Sequence, residues 1–390
     1  MPRGPVAVAW IIVLVLAAMF LAVRLRYPAV FEYEAAESSV ASAAFIEHGT
    51  PPRAYHRIRY TAIYAGPLHA YLKTIPYFVT LDPGGEIVFI NLLNVCAAIM
   101  FFFLLRRLFG LLPATLTLFL LVFSVPSIER CTAIHVRCYS VPLVLIAMVL
   151  VARVLLLREY RLMPLLAVAF AFATQVYGFA TFFLPPGLLL LFLLYRPRIA
   201  PEVWRKCAAI FAVLQIPWII DDVFRGIDGP VSVLRNGLFT FPAQDAQDID
   251  QARAGALGYI GSITRVVILD KDTMFVVGIL GLCVMAAYGV GLLARRRQLR
   301  ANPDLFFLLW LAMFLVLPAY LGAGGRVYLA QFLGPLIVAR GLTIPFAWLR
   351  ARGWRPARWA AQALGAAVAC VAIVAAFEHL SGPRPTTILS

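Results

Sequence analysis

Three glutamates, Glu32, Glu34 and Glu37, follow an uncharged apolar run at 5–23, in the segment FEYEAAESSVASAAFIEHGTPP from Phe31 to Pro52. A carboxylate at a membrane boundary is costly unless water, a cation or a substrate meets it. At helical spacing Glu34, Glu37, Ser38 and Ser42 share one face, while Ala36, Val40 and Ala43 line another. The spacing predicts an amphipathic helix that carries acids along the membrane surface and ends at Gly49 and Pro51-Pro52. A solvated face on a surface helix is the plainer alternative. Position favours the functional reading, because the acids lie in the longest loop of the front half of the chain.

The elements that must hold these acids are set by composition. Hydrophobic residues make up 62% of the chain and charged residues 14%, whereas a soluble domain is about half apolar and about a quarter charged. The apolar runs are helix-length and lack the alternation of a barrel, so the fold expected is an all-α polytopic membrane protein. Runs fall at about 5–23, 87–105, 108–126, 138–157, 162–178, 179–195, 207–220, 274–294, 305–322, 327–349 and 359–377, which gives about eleven transmembrane helices. Pro142, Pro185-Pro186 and Pro217 interrupt three of the runs and leave that count open by two or so. The whole of 1–390 reads as a single membrane domain, with a first outer loop at 24–86 and a polar loop at 221–273 that can act as a lid. No small-residue cleavage site follows the first run, which is therefore expected to stay as a helix.

The formal charge of +15 does not point to nucleic acid, because most arginines sit in short clusters between apolar runs, where they set topology and meet anionic lipid. Arg106-Arg107, Arg158 and Arg161, 196–206, 295–300 and 350–358 fall on one side if the spans alternate. That side is the cytoplasm by the positive-inside rule, with the N-terminus inside. Arg24, Arg26, Arg53, Arg57, Arg59 and Lys73 lie on the other side, in a loop long enough to count weakly. All five histidines and most acids are then outside, Glu159, Glu202 and Asp304 excepted. The six cysteines show no CxxC spacing; Cys96, Cys207, Cys283 and Cys370 read as small core residues, and Cys131 and Cys138 as outward-facing candidates with no bridge expected.

Four pieces, in order, resemble the GT-C membrane glycosyltransferases, and most closely the branch of protein mannosyltransferases and aminoarabinose transferases. They are Tyr33-Glu34-Ala35, where the family has Asp-Glu-Ala; YAGPLHAYL from Tyr64 to Leu72; NLLNVCAAIMFFFLLRRLFG from Asn91 to Gly110; and SVPSIERCTAIHVRCY from Ser124 to Tyr139. Looser matches are Tyr177-Gly178 followed by Pro185, and Gly325-Arg326-Val327-Tyr328. The chain has Tyr33 where the family places its leading Asp, so Glu32 or Glu37 must supply any second carboxylate beside Glu34.

The resemblance implies inverting sugar transfer from a polyprenyl-phosphate donor to a lipid, glycan or protein acceptor on the outer face. Such a reaction needs a carboxylate to take the acceptor proton, negative charge near the cation-like sugar carbon, and cations at the leaving phosphate. Glu34, with Glu32 or Glu37, fits the first two roles. Arg137, Arg326, Arg130, Arg265 and Lys271 are candidates for the phosphate, since arginine can donate two bonds at once to it. His69, Tyr71, Tyr139, Gln175 and Tyr177 are candidates for contact with substrate. Each has a plainer alternative: Arg137 and Arg326 as snorkelling helix ends, Lys271 as an ion pair with Asp270 or Asp272, Gln175 and Tyr177 as a helix end. Asp248 and Asp250 carry oxygen ligands for a divalent metal, which stays open, but acids in a polar loop are common and no cofactor is expected.

A transporter or flippase for a lipid-linked sugar is the competing class, and a non-catalytic sugar-binding subunit a third. Transporters place ionisable groups at mid-membrane between paired repeats. Here the acids gather at one boundary and the two halves do not resemble each other.

Overall fold

A computed structural model of the chain describes residues 4–25, 30–31, 33–49, 68–82, 84–124, 133–134, 136–176, 178–224, 302–320 and 332–381. In order, the elements are α1 (Gly4–Leu25), β1 (Val30–Phe31), α2 (Tyr33–His48), α3 (Leu68–Tyr77), α4 (Gly84–Phe109), α5 (Leu111–Phe123) and β2 (Ala133–Ile134). They continue with α6 (Val136–Leu155), a 3-10 turn (Tyr160–Leu162), α7 (Met163–Val176), α8 (Gly178–Tyr195), α9 (Pro201–Phe224), α10 (Pro303–Tyr320), α11 (Leu333–Ala351) and α12 (Ala357–Ser381). All but one of the predicted apolar runs coincide with a helix; the run at 274–294 lies outside the described residues. Five helices among the described residues are long and apolar enough to cross a membrane by themselves, which makes this a multi-pass membrane protein.

The proline-bearing runs do not break. Pro142, Pro185-Pro186 and Pro217 all lie inside helices. For α6 the reason is enclosure: 89% of its apolar window is buried, against 22% for α1 and 11% for α9. Neighbouring helices hold α6 in place where proline removes a backbone bond. Around it pack α4, α7 and α8, while α5 joins α4 to α11 and α12.

Short connections fix the directions of the helices. Gly110 alone joins α4 to α5, and its φ of 91° is in the region that favours glycine. The connections α6–α7, α8–α9 and α11–α12 are arginine-rich, and this joint follows Arg106 and Arg107 in the last turn of α4. Arg107 and Arg153 both bond Glu159, which puts the ends of α4 and α6 at one pole. Asp304, at the start of α10, takes two 2.6 Å bonds from Arg340, whose guanidinium lies 4.1 Å over Phe109 at the end of α4. Glu202 pairs with Arg205 at 3.2 Å. Glu159, Glu202 and Asp304, the acids expected among the basic loops, thus each have an arginine partner. We call this end the arginine pole and the other the acid-motif pole.

At the acid-motif pole Arg24 turns inward. It is fully buried, donates to the carbonyls of Leu121 (3.2 Å) and Val122 (3.1 Å), and lies 3.3 Å over the Phe20 ring. The last carbonyls of α5 lack helical partners, and a cation there also meets the negative end of the helix dipole. One arginine so ties the ends of α1 and α5. Two expectations for cysteine change: Cys96 and Cys370 face outward rather than into the core, whereas Cys138 is buried, as is Cys207. A small weakly polar thiol is as acceptable to lipid as to a protein core.

Candidate functional site

Just beyond the Arg24 tie the chain forms its one described pair of strands. β1 and β2 run parallel, with Val30 opposite Ala133 and Phe31 opposite Ile134. Each strand leads, after one residue, into a helix: β1 into α2 and β2 into α6. The register therefore sets positions 34 and 137 at the same distance beyond the paired residues Phe31 and Ile134, each in the opening turn of its helix. These are the acid motif and the arginine motif, far apart in sequence, and the strand pairing brings together the chain just before each of them. A helix start offers unpaired backbone N–H groups to an anion.

What holds α2 there is a buried polar cluster centred on Glu86, in the first turn of α4. The carboxylate is fully buried and receives four donors. Lys73 Nζ lies 3.1 Å from Oε1, and the Tyr139 hydroxyl donates to the same oxygen at 3.1 Å. Ser39 Oγ donates to Oε2 at 3.0 Å and the Tyr77 hydroxyl at 3.2 Å. A carboxylate has about four acceptor sites, so Glu86 is saturated, by α2, α3 and α6 together. Nothing is left on it to take a substrate proton, and its work is to hold three helices on α4. Burial pushes the Lys73 ammonium below its usual pKa, and the neighbouring Glu86 charge opposes that shift. Burial likewise pushes the Tyr77 phenol up to about 12; a hydrogen bond with Ser39 counters it and the Glu86 charge reinforces it.

Local sequence explains the entry into α4. Asp82 Oδ1 accepts from the Gly84 amide at 2.9 Å, and Thr80 Oγ1 from the Asp82 amide at 3.1 Å. Glycine is required at 85, where an added Cβ would lie 2.4 Å from Thr80 Cγ2.

The predicted helix after the acids is present as α2, and Gly49 ends it as expected, with φ 67° and its amide on Phe45 O at 3.0 Å. One of its polar positions departs from the expectation: Ser42, with Ser39 beside it, points into the protein, Ser42 Oγ donating to Ala70 O at 3.2 Å, while Val40 is 68% exposed. The serine side is bound by α3 and α4 instead of by water, because small hydroxyls allow close helix approach and find buried acceptors there.

The other predicted residues separate into groups. Glu34 and Glu37 lie on α2, His69 on α3 and Arg137 on α6 by their backbone positions. Tyr71, half-buried, meets Phe45 edge-on at 5.9 Å between α3 and α2. Tyr139 is buried on Glu86 rather than open to a ligand. Gln175, buried on α7, donates to Leu214 O at 2.7 Å and to Gln215 Oε1 at 2.9 Å on α9. Among the described residues, Gln175 Oε1 and Gln215 Nε2 are buried without a partner. Glu32, Arg130, Tyr177, Arg265, Lys271 and Arg326 lie outside the described residues, as does the loop from 225 to 273. No cluster of three potential metal ligands occurs among the described residues.

The arrangement of the helices is the GT-C fold, as comparison with solved structures shows. ArnT from Cupriavidus metallidurans, solved with bound undecaprenyl phosphate, matches with a TM-score of 0.60 at 16% identity, over 99% of this chain and 67% of its own. The oligosaccharyltransferase of Archaeoglobus fulgidus, in complex with Zn and sulfate, matches with a TM-score of 0.55 at 16% identity, over 96% of this chain and 54% of its own. The same archaeal enzyme, AglB, with an inhibitory peptide and dolichol-phosphate, gives 0.52 at 13% identity, over 97% of this chain and 56% of its own. The chain thus spans little more than half the length of the archaeal enzymes. No protein-family model matches the sequence, and no curated protein matches it.

Proposed function

We propose that the protein is an inverting glycosyltransferase that moves a sugar from a polyprenyl-phosphate donor to a lipid, glycan or protein acceptor at the acid-motif pole. The observation that supports this reading is the β1–β2 pairing, with Phe31 opposite Ile134, three residues before positions 34 and 137. In this reading Glu34 takes the proton of the attacking hydroxyl, and Glu32 or Glu37 faces the positive charge on the sugar carbon. Arg137 and the exposed amides of the two helix starts meet the phosphate as it leaves with the lipid. Arg130, Arg265, Lys271 and Arg326 remain further cations for that phosphate. The solved neighbours carry undecaprenyl phosphate and dolichol-phosphate, which supports a lipid-borne donor. Gln175 Oε1 and Gln215 Nε2, one acceptor and one donor buried without partners, suit a sugar hydroxyl that can serve both. The membrane is the plasma membrane, with the arginine pole in the cytoplasm and the acid-motif pole outside, because positively charged short loops stay inside.

The deciding experiment supplies membranes containing the protein with a polyprenyl-phosphate sugar and follows transfer. Glu34→Gln is expected to lower transfer by about 100-fold to 10,000-fold, the span of a lost general base, with insertion intact. Full transfer in Glu34→Gln, Glu32→Gln and Glu37→Gln alike would overturn the assignment, and vesicle flux of the lipid-linked sugar without covalent product would favour a flippase.

A further inference from the structure

We propose that the arginine pole carries a binding site for one anionic glycerophospholipid, in the groove between α1, α4 and α6. The groove has a volume of about 330 Å³, and its walls are Trp10, Ile99, Met100, Phe103, Leu104 and Leu157. Arg107 and Arg153 complete the lining. Both arginines lie within the last turn of their helices, α4 and α6, so the charge sits at the depth of a headgroup. From Arg107 to Ile99 the groove follows α4 for about 12 Å, enough for a good part of an acyl chain. Trp10 stacks obliquely on Phe103 with centroids 4.7 Å apart and remains 47% exposed at the mouth. Tryptophan in that position has an apolar body for the tail and an N–H for the interface.

Charge complementarity selects the headgroup. The two guanidiniums share one carboxylate, Glu159, through Arg153 Nε at 2.6 Å and Arg107 Nη1, leaving the cluster with an excess positive charge. Each guanidinium has five N–H donors and spends only part of them on Glu159, and Arg107 is 57% exposed. A phosphodiester bearing net negative charge can take the remaining donors in a fork. The site is independent of the reaction proposed above and lies at the opposite pole.

The test uses the full-length protein in detergent, titrated with phosphatidylglycerol or phosphatidylcholine carrying brominated acyl chains, which quench nearby tryptophan. The Trp10 signal is the difference between the parent and Trp10→Phe. Phosphatidylglycerol is expected to quench Trp10 at about fivefold lower concentration than phosphatidylcholine, on the order of what one excess positive charge adds near an anionic lipid. Arg107→Gln, which leaves the Arg153–Glu159 pair intact, should erase most of the preference, and Glu159→Gln, which removes the competing carboxylate, should strengthen it. Inorganic phosphate should not displace the lipid. Equal quenching of Trp10 by the two lipids, a preference unchanged in both variants, or displacement by phosphate would overturn the proposal.

Discussion

Lys73 Nζ lies 3.1 Å from Glu86 Oε1, and neither side chain has any exposed surface. The two come from α3 and the first turn of α4, on either side of the turn at 78–82. Removing one member of such a pair strands the other charge inside the protein and costs about 3–5 kcal/mol. Lys73→Met and Glu86→Gln are therefore each expected to lower the unfolding midpoint in detergent sharply, whereas the double variant should recover more than half of the sum. Additive losses in that cycle would show that the pair is not coupled. Glu86→Gln should also weaken transfer through the loosened Ser39 contact, while Ser39→Ala alone should cost about 1.5–3 kcal/mol, the worth of a hydrogen bond to a charged group.

Much of this arrangement was readable in the sequence, and what was not has a definite cause. The spans followed from apolar run length, and the end of α2 from Gly49, because hydropathy and glycine act locally. Lys73 read as one more basic residue of an outer loop, since nothing local says that α3 folds back over the start of α4. Arg24 read as a topology charge in the same way; its real partners are carbonyls of α5, which carry no side-chain signal at all. The inward serines of α2 have a similar origin, because Ser39 and Ser42 are polar in sequence but buried in the fold by acceptors on other helices. Positions 34 and 137 were each singled out by resemblance, and the pairing of the strands just before them came only from the structure.

Orientation gives a second prediction. Glu47, half-exposed near the end of α2, and Arg161, exposed in the turn between α6 and α7, lie at opposite poles. In a chain depleted of its own cysteines, Glu47→Cys should react with a membrane-impermeant maleimide added to intact cells. Arg161→Cys should react only after the membrane is opened. The reverse pattern would set the acid motif in the cytoplasm, where an externally facing transferase cannot work.

Acid sensitivity should arise at the arginine pole through Glu159. Burial alone would raise the pKa of this carboxylate, but hydrogen bonds and charge from Arg153 and Arg107 outweigh it and hold the group below its ordinary 4.5. Between that lowered value and 4.5 the unfolded chain binds more protons than the folded one, so stability falls as pH falls. The contribution is thus complete above about 4.5 and is lost progressively as pH drops through the folded value. Arg107 is 57% exposed and Arg153 33%, so solvent screens the first partner more, and Arg153 carries the larger share. Glu159→Gln should therefore unfold at a lower temperature than the parent at pH 6, and the gap should close as pH is taken below 4.5. Arg153→Gln should show the same closing gap and Arg107→Gln a smaller one. A gap between parent and Glu159→Gln that persists undiminished to low pH would mean that packing of the side chain, rather than its charge, joins the ends of α4 and α6.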